Sequence, residues 1–251
     1  MKRILHSSRV RIFVYLIICT SLSSCVGPIN YLVDPIPTPY LEPDSHAEVQ
    51  ASYSGHGKLY VEGAVALPHN FMVEASGTTW QTRRDIDQRM CSGAIGHYWQ
   101  NDSTSRFLIM AGGGFGDQQV GPGYHQTEPF TSIEDTLTSS SKFRKAFVTG
   151  MFCKEGAAFT IGENTHVKLG FGFAIRLQYI DRYPFDQIEH EASSPVIKHT
   201  TGPIKYATFD KSFFVTAGIN RVRCVAQIGL VTVGPAFLDW FVTSVGMRFV
   251  L

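Results

Sequence analysis

The chain has 251 residues, a formal net charge of +1 and only 17% charged residues, below the roughly 25% usual for soluble domains. That length suits one large all-β domain or two small ones, and a near-neutral chain with no basic patch excludes a nucleic-acid binder. Beyond residue 25 the cysteines are Cys91, Cys153 and Cys224, with no Cys-x-x-Cys or Cys/His spacing. A disulfide framework and a zinc site are both excluded, and no cofactor is expected.

The chain opens "MKRILHSSRVRIFVYLIICTSLSSC". Lys2, Arg3, Arg9 and Arg11 precede an apolar stretch from Ile12 to Thr20, too short to span a bilayer, which is the pattern of a signal peptide. Residues 1–24 are therefore expected to be removed. Losing those four cations, with no acid among them, takes the formal charge from +1 to −3. Residues 25–46 follow as "CVGPINYLVDPIPTPYLEPDSH". Their prolines deny ladder hydrogen bonds and favour an extended linker.

From Ala47 to Leu251 no helical period appears, only alternating runs divided by turn residues. Ten runs stand out: Ala47–Tyr53, Lys58–Leu67, Asn70–Trp80, Gln88–Gln100, Ser105–Asp117, Phe143–Lys154, His166–Asp181, Lys205–Ile219, Val222–Val231 and Trp240–Leu251. Connections after even-numbered runs are short (Pro68-His69, Asn101–Thr104, Asn220-Arg221), with Gly156–Thr165 the exception. Those after odd-numbered runs include the long polar stretches Gln118–Lys142 and Arg182–Ile204. Short turns on one rim and long loops on the other are the arrangement of outer-membrane barrels. The expected fold is an all-β, antiparallel up-and-down transmembrane β-barrel of about ten strands, within a range of about eight to twelve.

The seventh run decides which face meets which solvent. Val167, Leu169, Phe171, Phe173, Ile175, Leu177 and Tyr179 alternate with Lys168, Gly170, Gly172, Ala174, Arg176 and Gln178. Glycine and alanine cover a water-exposed face poorly but suit a crowded interior, so the apolar set is assigned to lipid and the small and charged set to a narrow lumen. The last run repeats this, with Phe241, Thr243, Val245, Met247 and Phe249 against Ser244, Gly246 and Arg248. Lipid-facing residues are thus expected at Leu169, Phe171, Phe173, Ile175, Val245, Met247 and Phe249. Tyr179, Tyr183, Phe237, Trp240, Phe241 and Phe249 fall where the headgroup boundaries would lie. Applied to the other runs, the same parity places Glu48, Glu62, Glu74, Lys168, Arg176, Arg223 and Arg248 in the lumen. Closure would set the early acids beside the late bases, and pairing between them would plug the barrel.

Two further features carry a resemblance. Leu22-Ser23-Ser24-Cys25 resembles the bacterial lipobox, in which lipid is attached to the cysteine before cleavage. The apolar-faced final strand resembles the carboxy-terminal signature of outer-membrane proteins, although Leu251 stands where phenylalanine is usual. With stretches such as "AEVQAS" and "VEGAVALPHNFMVEASG", Cys25 and Ala47–Leu251 resemble the small outer-membrane β-barrel proteins. The likeness is OmpA-like in the transmembrane part, and strongest to lipidated relatives in Bacteroidetes-type bacteria. It implies an outer-membrane lipoprotein anchored at Cys25 with a structural or surface-binding role and no catalytic residues. The partners it implies are outer-membrane lipid, the barrel-assembly and lipoprotein-sorting machinery, and an unidentified ligand at the external loops. Three alternatives stay open: a lipid-anchored soluble barrel holding an apolar ligand, a narrow pore, and an enzyme acting on lipid or peptide. For the last, Ser92 and His97 are the nearest pair, but a separation of five residues puts them on opposite faces of a strand.

Overall fold

The computed structural model describes residues 35–39, 46–54, 58–81, 86–100, 104–121, 125–127, 134–161, 165–190, 197–219, 221–233 and 237–251. Twelve strands follow in chain order: β1 (Ala47–Ser54), β2 (Lys58–Leu67), β3 (Phe71–Gln81), β4 (Ile86–Gln100), β5 (Ser105–Val120), β6 (His125–Thr127), β7 (Glu134–Ile161), β8 (Thr165–His190), β9 (Ile197–Thr201), β10 (Ile204–Ile219), β11 (Val222–Val233) and β12 (Phe237–Val250). Every pairing is antiparallel. The ladder β1-β2-β3-β4-β5-β7-β8-β10-β11-β12 closes when β12 pairs with β1, from Glu48 opposite Val250 to Ser54 opposite Ser244. The result is a ten-stranded up-and-down barrel with no free edge. β6 and β9 stand outside the ring and pair only with the ends of β7 and β8.

Both chain ends of the barrel lie on one rim, the terminal rim. The turn 68–70 lies there too, and β4, β7 and β10 end, and β5, β8 and β11 begin, on the same rim. At that turn, His69 (φ 60°) and Asn70 (φ 61°) both adopt left-handed backbone, and the Phe71 N–H donates to the Pro68 carbonyl. Histidine and asparagine are among the non-glycine residues that reach this conformation most readily, and paired left-handed residues match the twist of a tight hairpin.

At the distal rim the structure corrects the expected loops. Much of Gln118–Lys142 and Arg182–Ile204 is strand, because β7 runs 28 residues and β8 26. Their pairing continues from Phe143 opposite Arg182 up to Thr136 opposite His190. Roughly 9–11 residues cross a bilayer, so this hairpin projects well beyond the barrel, widened by β6 on one side and β9 on the other. The backbone of Thr136, Thr138 and Ser139–Ser141 gains a full ladder there, which a loop would leave to water. The Gly156–Thr165 connection likewise contracts to residues 162–164, since both strands continue to its edge.

Side-chain sidedness is consistent around the ring. The outward positions of β8 are exposed from Leu169 to Tyr179, and those of β12 from Thr243 to Phe249, while the alternate positions are inward. The interior holds more apolar volume than the alternation of β8 alone implies. Met72, Leu108, Met110, Phe147, Met151 and Phe214 form one buried cluster across it, and Met90, Phe143, Ile180, Val231 and Val242 a second. β7 contributes to both because its two faces are apolar, inward through Phe143, Phe147 and Met151 and outward through Val148 and Phe152.

Inward glycines make room for these rings. A methyl group on Gly112 would sit 2.7 Å from Phe147 Cζ, and one on Gly172 would overlap the Phe214 ring and the Phe152 carbonyl. Interiors this close-packed resist added methyls. Gly172→Ala is expected to destabilise the barrel by about 1–3 kcal/mol, and Phe214→Leu in the same chain to recover only part of that loss, since the Phe152 carbonyl still opposes the methyl group. Urea titration in lipid, read by the electrophoretic mobility of folded and unfolded barrel, checks both; an unchanged midpoint in the single variant would show that the ring does not rest on the glycine.

Candidate functional site

The lumen is where the sequence places charge under the severest constraint. An ion there is removed from bulk water and must find compensating partners. Arg176, Arg182, Arg223 and Arg248 are each almost wholly buried. Arg176 on β8 reaches across to Asp210 on β10, with Nη2 2.7 Å and Nε 2.9 Å from Oδ2, and Gln178 Nε2 donates to the same oxygen at 3.1 Å. Arg223 on β11 donates from Nε to Glu155 Oε1 on β7 at 2.8 Å. Arg182 donates to Ser141 Oγ and to Gln118 Oε1, tying β8 to β7 and β5.

The remaining guanidinium engages a stretch outside the strands. Residues 35–39, "PIPTP", lie buried inside the barrel, with Ile36 in the larger apolar cluster. Arg248 donates to Gln50 Oε1 at 2.9 and 3.0 Å, to Thr38 Oγ1 at 3.1 Å, and to the Thr38 carbonyl. The Thr38 N–H faces the Glu62 carboxylate at 3.4 Å from both oxygens, and Tyr60 donates to Glu62 at 2.9 Å. Gln227 donates to the Ile36 carbonyl at 3.1 Å and to Ser212 at 2.6 Å. An extended strand of chain is thus held by its backbone groups. The Pro-rich stretch expected as an extended linker thus passes through the barrel interior at these five residues. Proline removes donors that the interior would otherwise have to satisfy, so a proline-rich segment is one of the few that can lie there at low cost.

Of the seven residues assigned to the lumen, Glu48, Glu62, Glu74, Arg176, Arg223 and Arg248 are buried and Lys168, near the terminal rim, is partly exposed. Arg176 and Arg223 pair with Asp210 and Glu155, two acids absent from the set that strand parity assigns to the lumen. Asp210 shares its face with Phe214, which blurs the alternation of that run, and Glu155 falls one position past its expected end. Gln50 was within reach of the sequence, alternating with Glu48; Ile36 and Thr38 carried no signal at all.

The seven residues assigned to lipid, Leu169, Phe171, Phe173, Ile175, Val245, Met247 and Phe249, are all exposed on the outer wall. Tyr179, Tyr183 and Phe249 are exposed as well, whereas the side chains of Phe237, Trp240 and Phe241 lie outside the described residues. Near the terminal rim, Phe71, His97, Trp99 and Phe107 form a contiguous outward aromatic row, with ring centroids 4.9, 4.5 and 5.6 Å apart in sequence. That engages His97 away from Ser92, whose Oγ lies 2.9 Å from Ser76 Oγ instead. Cys91 and Cys224 are free on the outside and Cys153 is free and buried. Among the described residues, no three His, Cys, Asp or Glu side chains are placed to hold a metal.

No protein-family profile and no curated protein matches the chain. Similar solved structures include the KdgM porin, at 7% identity over 82% of this chain and 98% of the porin, TM-score 0.32. LpxR from Salmonella typhimurium is 6% identical over 82% of this chain and 99% of its own, TM-score 0.34. The translocator domain of autotransporter NalP from Neisseria meningitidis is 10% identical over 81% and 86%, TM-score 0.27. Likeness at this level carries no argument about location or activity, which rest on the chain's own geometry.

The Arg176–Asp210 pair supplies a direct test of that geometry. Arg176→Met alone is expected to destabilise the barrel by about 3 kcal/mol or more, because it removes a charged partner of the buried Asp210 carboxylate. Replacing both, as Arg176→Met with Asp210→Leu, should recover most of the loss in urea denaturation of the lipid-embedded barrel.

Proposed function

We propose that the protein is an outer-membrane β-barrel lipoprotein, anchored at Cys25, that spans the bilayer with a closed lumen and works through its distal face. The observation that carries this is the reversal of sides: apolar residues on the outer wall of a closed barrel, and buried paired arginines within it. In water, an apolar band on this scale would be an aggregation surface, far beyond the few hundred Å² that soluble monomers expose. In hydrocarbon it is the favourable outer surface of a barrel whose hydrogen-bonded ladder closes on itself. The same reversal disfavours a soluble barrel with an apolar cavity, since Leu169, Phe171 and Phe173 point away from the interior that such a ligand would occupy.

The lumen is closed by two means acting together. Ten strands leave little more room than the eight whose interior is filled by side chains. Here Met72, Met110, Phe147 and Phe214 meet across it, and Pro35–Pro39 occupies the space between Glu62, Gln227 and Arg248. That filling supports a binding and structural element rather than a pore. The β7–β8 hairpin, flanked by β6 and β9, offers a rigid platform beyond the membrane where a ligand can be met.

Bilayer residence is tested by tryptophan quenching with brominated acyl chains, in a background where Trp80, Trp99 and Trp240 are phenylalanine. Phe173→Trp should be strongly quenched and Phe214→Trp hardly at all; equal quenching at both positions, or none at Phe173→Trp, removes the bilayer reading. In planar bilayers the intact chain is expected to show conductance at background, and a steady open current would refute closure. Metabolic labelling with palmitate should mark the wild type and leave Cys25→Ser unlabelled while its barrel still folds.

A further inference from the structure

On the outer wall, one row of cross-strand partners runs Cys91, Phe115, Arg144, Asp181, Lys205 over β4, β5, β7, β8 and β10. It lies where the apolar belt ends: on β8 the outward residues beneath Asp181 are Tyr179, Leu177 and Ile175, and the pairing above it climbs into the projecting hairpin. Lys142, two residues before Arg144 on the same outward face of β7, stands just above this row. Together these residues form a hollow lined by Phe115, Lys142, Arg144, Asp181, Tyr183 and Lys205. Three cations against one carboxylate make it positive, although Asp117 faces Lys142 from β5. Among the described residues no hydrogen bond or ion pair engages the Lys142, Arg144 or Lys205 head groups, and Asp181 Oδ1 accepts none. Phe115 and Tyr183, each 67% exposed, stand at its sides.

Directly toward the membrane midplane, and sharing Phe115 and Arg144 as a wall, lies a second hollow lined by Cys91, Gly93 and Gly113. Gly93 and Gly113 are opposite each other on β4 and β5, so two adjacent strands present bare backbone to the outside. The inner side is already filled: a methyl group on Gly114 would meet Ser92 Cβ at 2.8 Å and Lys145 Cε at 2.9 Å. The slot therefore opens outward, in a wall otherwise covered by Ile95, Val148 and Phe152.

We propose that these two hollows are one binding site for a phosphorylated, anionic membrane lipid, a reading that rests on the barrel's residence in a bilayer. The phosphate sits among Lys142, Arg144 and Lys205, where a guanidinium fork and two ammonium groups supply charge-assisted hydrogen bonds. The rings of Phe115 and Tyr183 lie at headgroup depth. One acyl chain runs down the Gly93–Gly113 slot, gaining dispersion contacts along the backbone that a branched side chain would deny. A free phosphate would use the cations but leave the slot empty, which separates the two sources.

The test reconstitutes the full chain in phosphatidylcholine nanodiscs containing a minor fraction of phosphatidic acid and reads retained lipid by native mass spectrometry. The wild type is expected to retain phosphatidic acid over phosphatidylcholine. The K142Q/R144Q/K205Q variant should lose that preference by about tenfold, a change of about 1.4 kcal/mol. Gly93→Leu, whose Cβ would make ordinary 3.5 Å contact with the Glu74 carbonyl, fills the slot and should lower retention with all cations in place. Equal retention of both lipids by the wild type, or a preference that survives the triple variant, overturns the site. A preference abolished by excess inorganic phosphate but untouched by Gly93→Leu overturns the lipid in favour of free phosphate. A chain that fails to enter the discs at all fails the bilayer reading first, and the site with it.

Discussion

The pairing of β1 with β12 is the contact on which everything else depends. Until Glu48 meets Val250 and Ser54 meets Ser244, the sheet has two long edges of unpaired donors and acceptors. Those edges cannot be left in hydrocarbon and would recruit other chains in water. Once the ladder closes, backbone polarity is spent around the ring, and each side chain has only two directions left. What it does then follows from which side of the wall it stands on.

Inward, closure creates a narrow volume that must be filled and neutralised at once. Large side chains can lie there only because glycine stands opposite, Gly112 beneath Phe147 and Gly172 beneath Phe214. Arginines can lie there only with partners, and the partners come from strands distant in sequence: Glu155 for Arg223, Asp210 for Arg176, Gln50 for Arg248. Each such bond spans the interior or an inter-strand seam, so the polar network fixes strand register as well as charge balance. The Pro35–Pro39 segment fits the same logic. It brings carbonyls that accept from Gln227 and Arg248, and few donors of its own to satisfy.

How much of this was legible in the sequence depended on how different the two faces of a strand are. β8 and β12 separate cleanly into apolar and small-or-charged sets, so sidedness could be read from them without a structure. β7 could not be read so, since Phe147 and Val148 are both apolar and only closure assigns one inward. The strand count was available from turn spacing, but the length of β7 and β8 was not. Thr138–Ser141 is polar on both faces and looks like loop until the partner segment Phe185–Ile188 supplies its hydrogen bonds. The identity of Arg partners failed for a related reason: parity says which residues share the lumen, while register, set by a ring of ten pairings, says which of them touch. The internal segment was the least legible, because the barrel grips its backbone and the sequence of Pro35–Pro39 has no side-chain pattern to announce that.

The same residue type therefore does opposite work on the two sides of one wall. Arg176 and Arg144 lie on neighbouring strands, and Arg176 pairs in register with Thr149 five residues along from Arg144. Inside, the guanidinium is desolvated and its partner is built into the adjacent strand, so it holds the fold and is closed to any ligand. Outside, at the level where the apolar belt ends, the guanidinium has Lys142, Lys205 and the single carboxylate of Asp181 for neighbours, and no hydrogen bond or ion pair among the described residues holds it. A barrel under selection for stability alone would place apolar or compensated residues at such a row. Like charges gathered beside a slot of bare backbone lower the cost of bringing an anion with a hydrocarbon tail, and they do so at the one depth where such molecules present their phosphates.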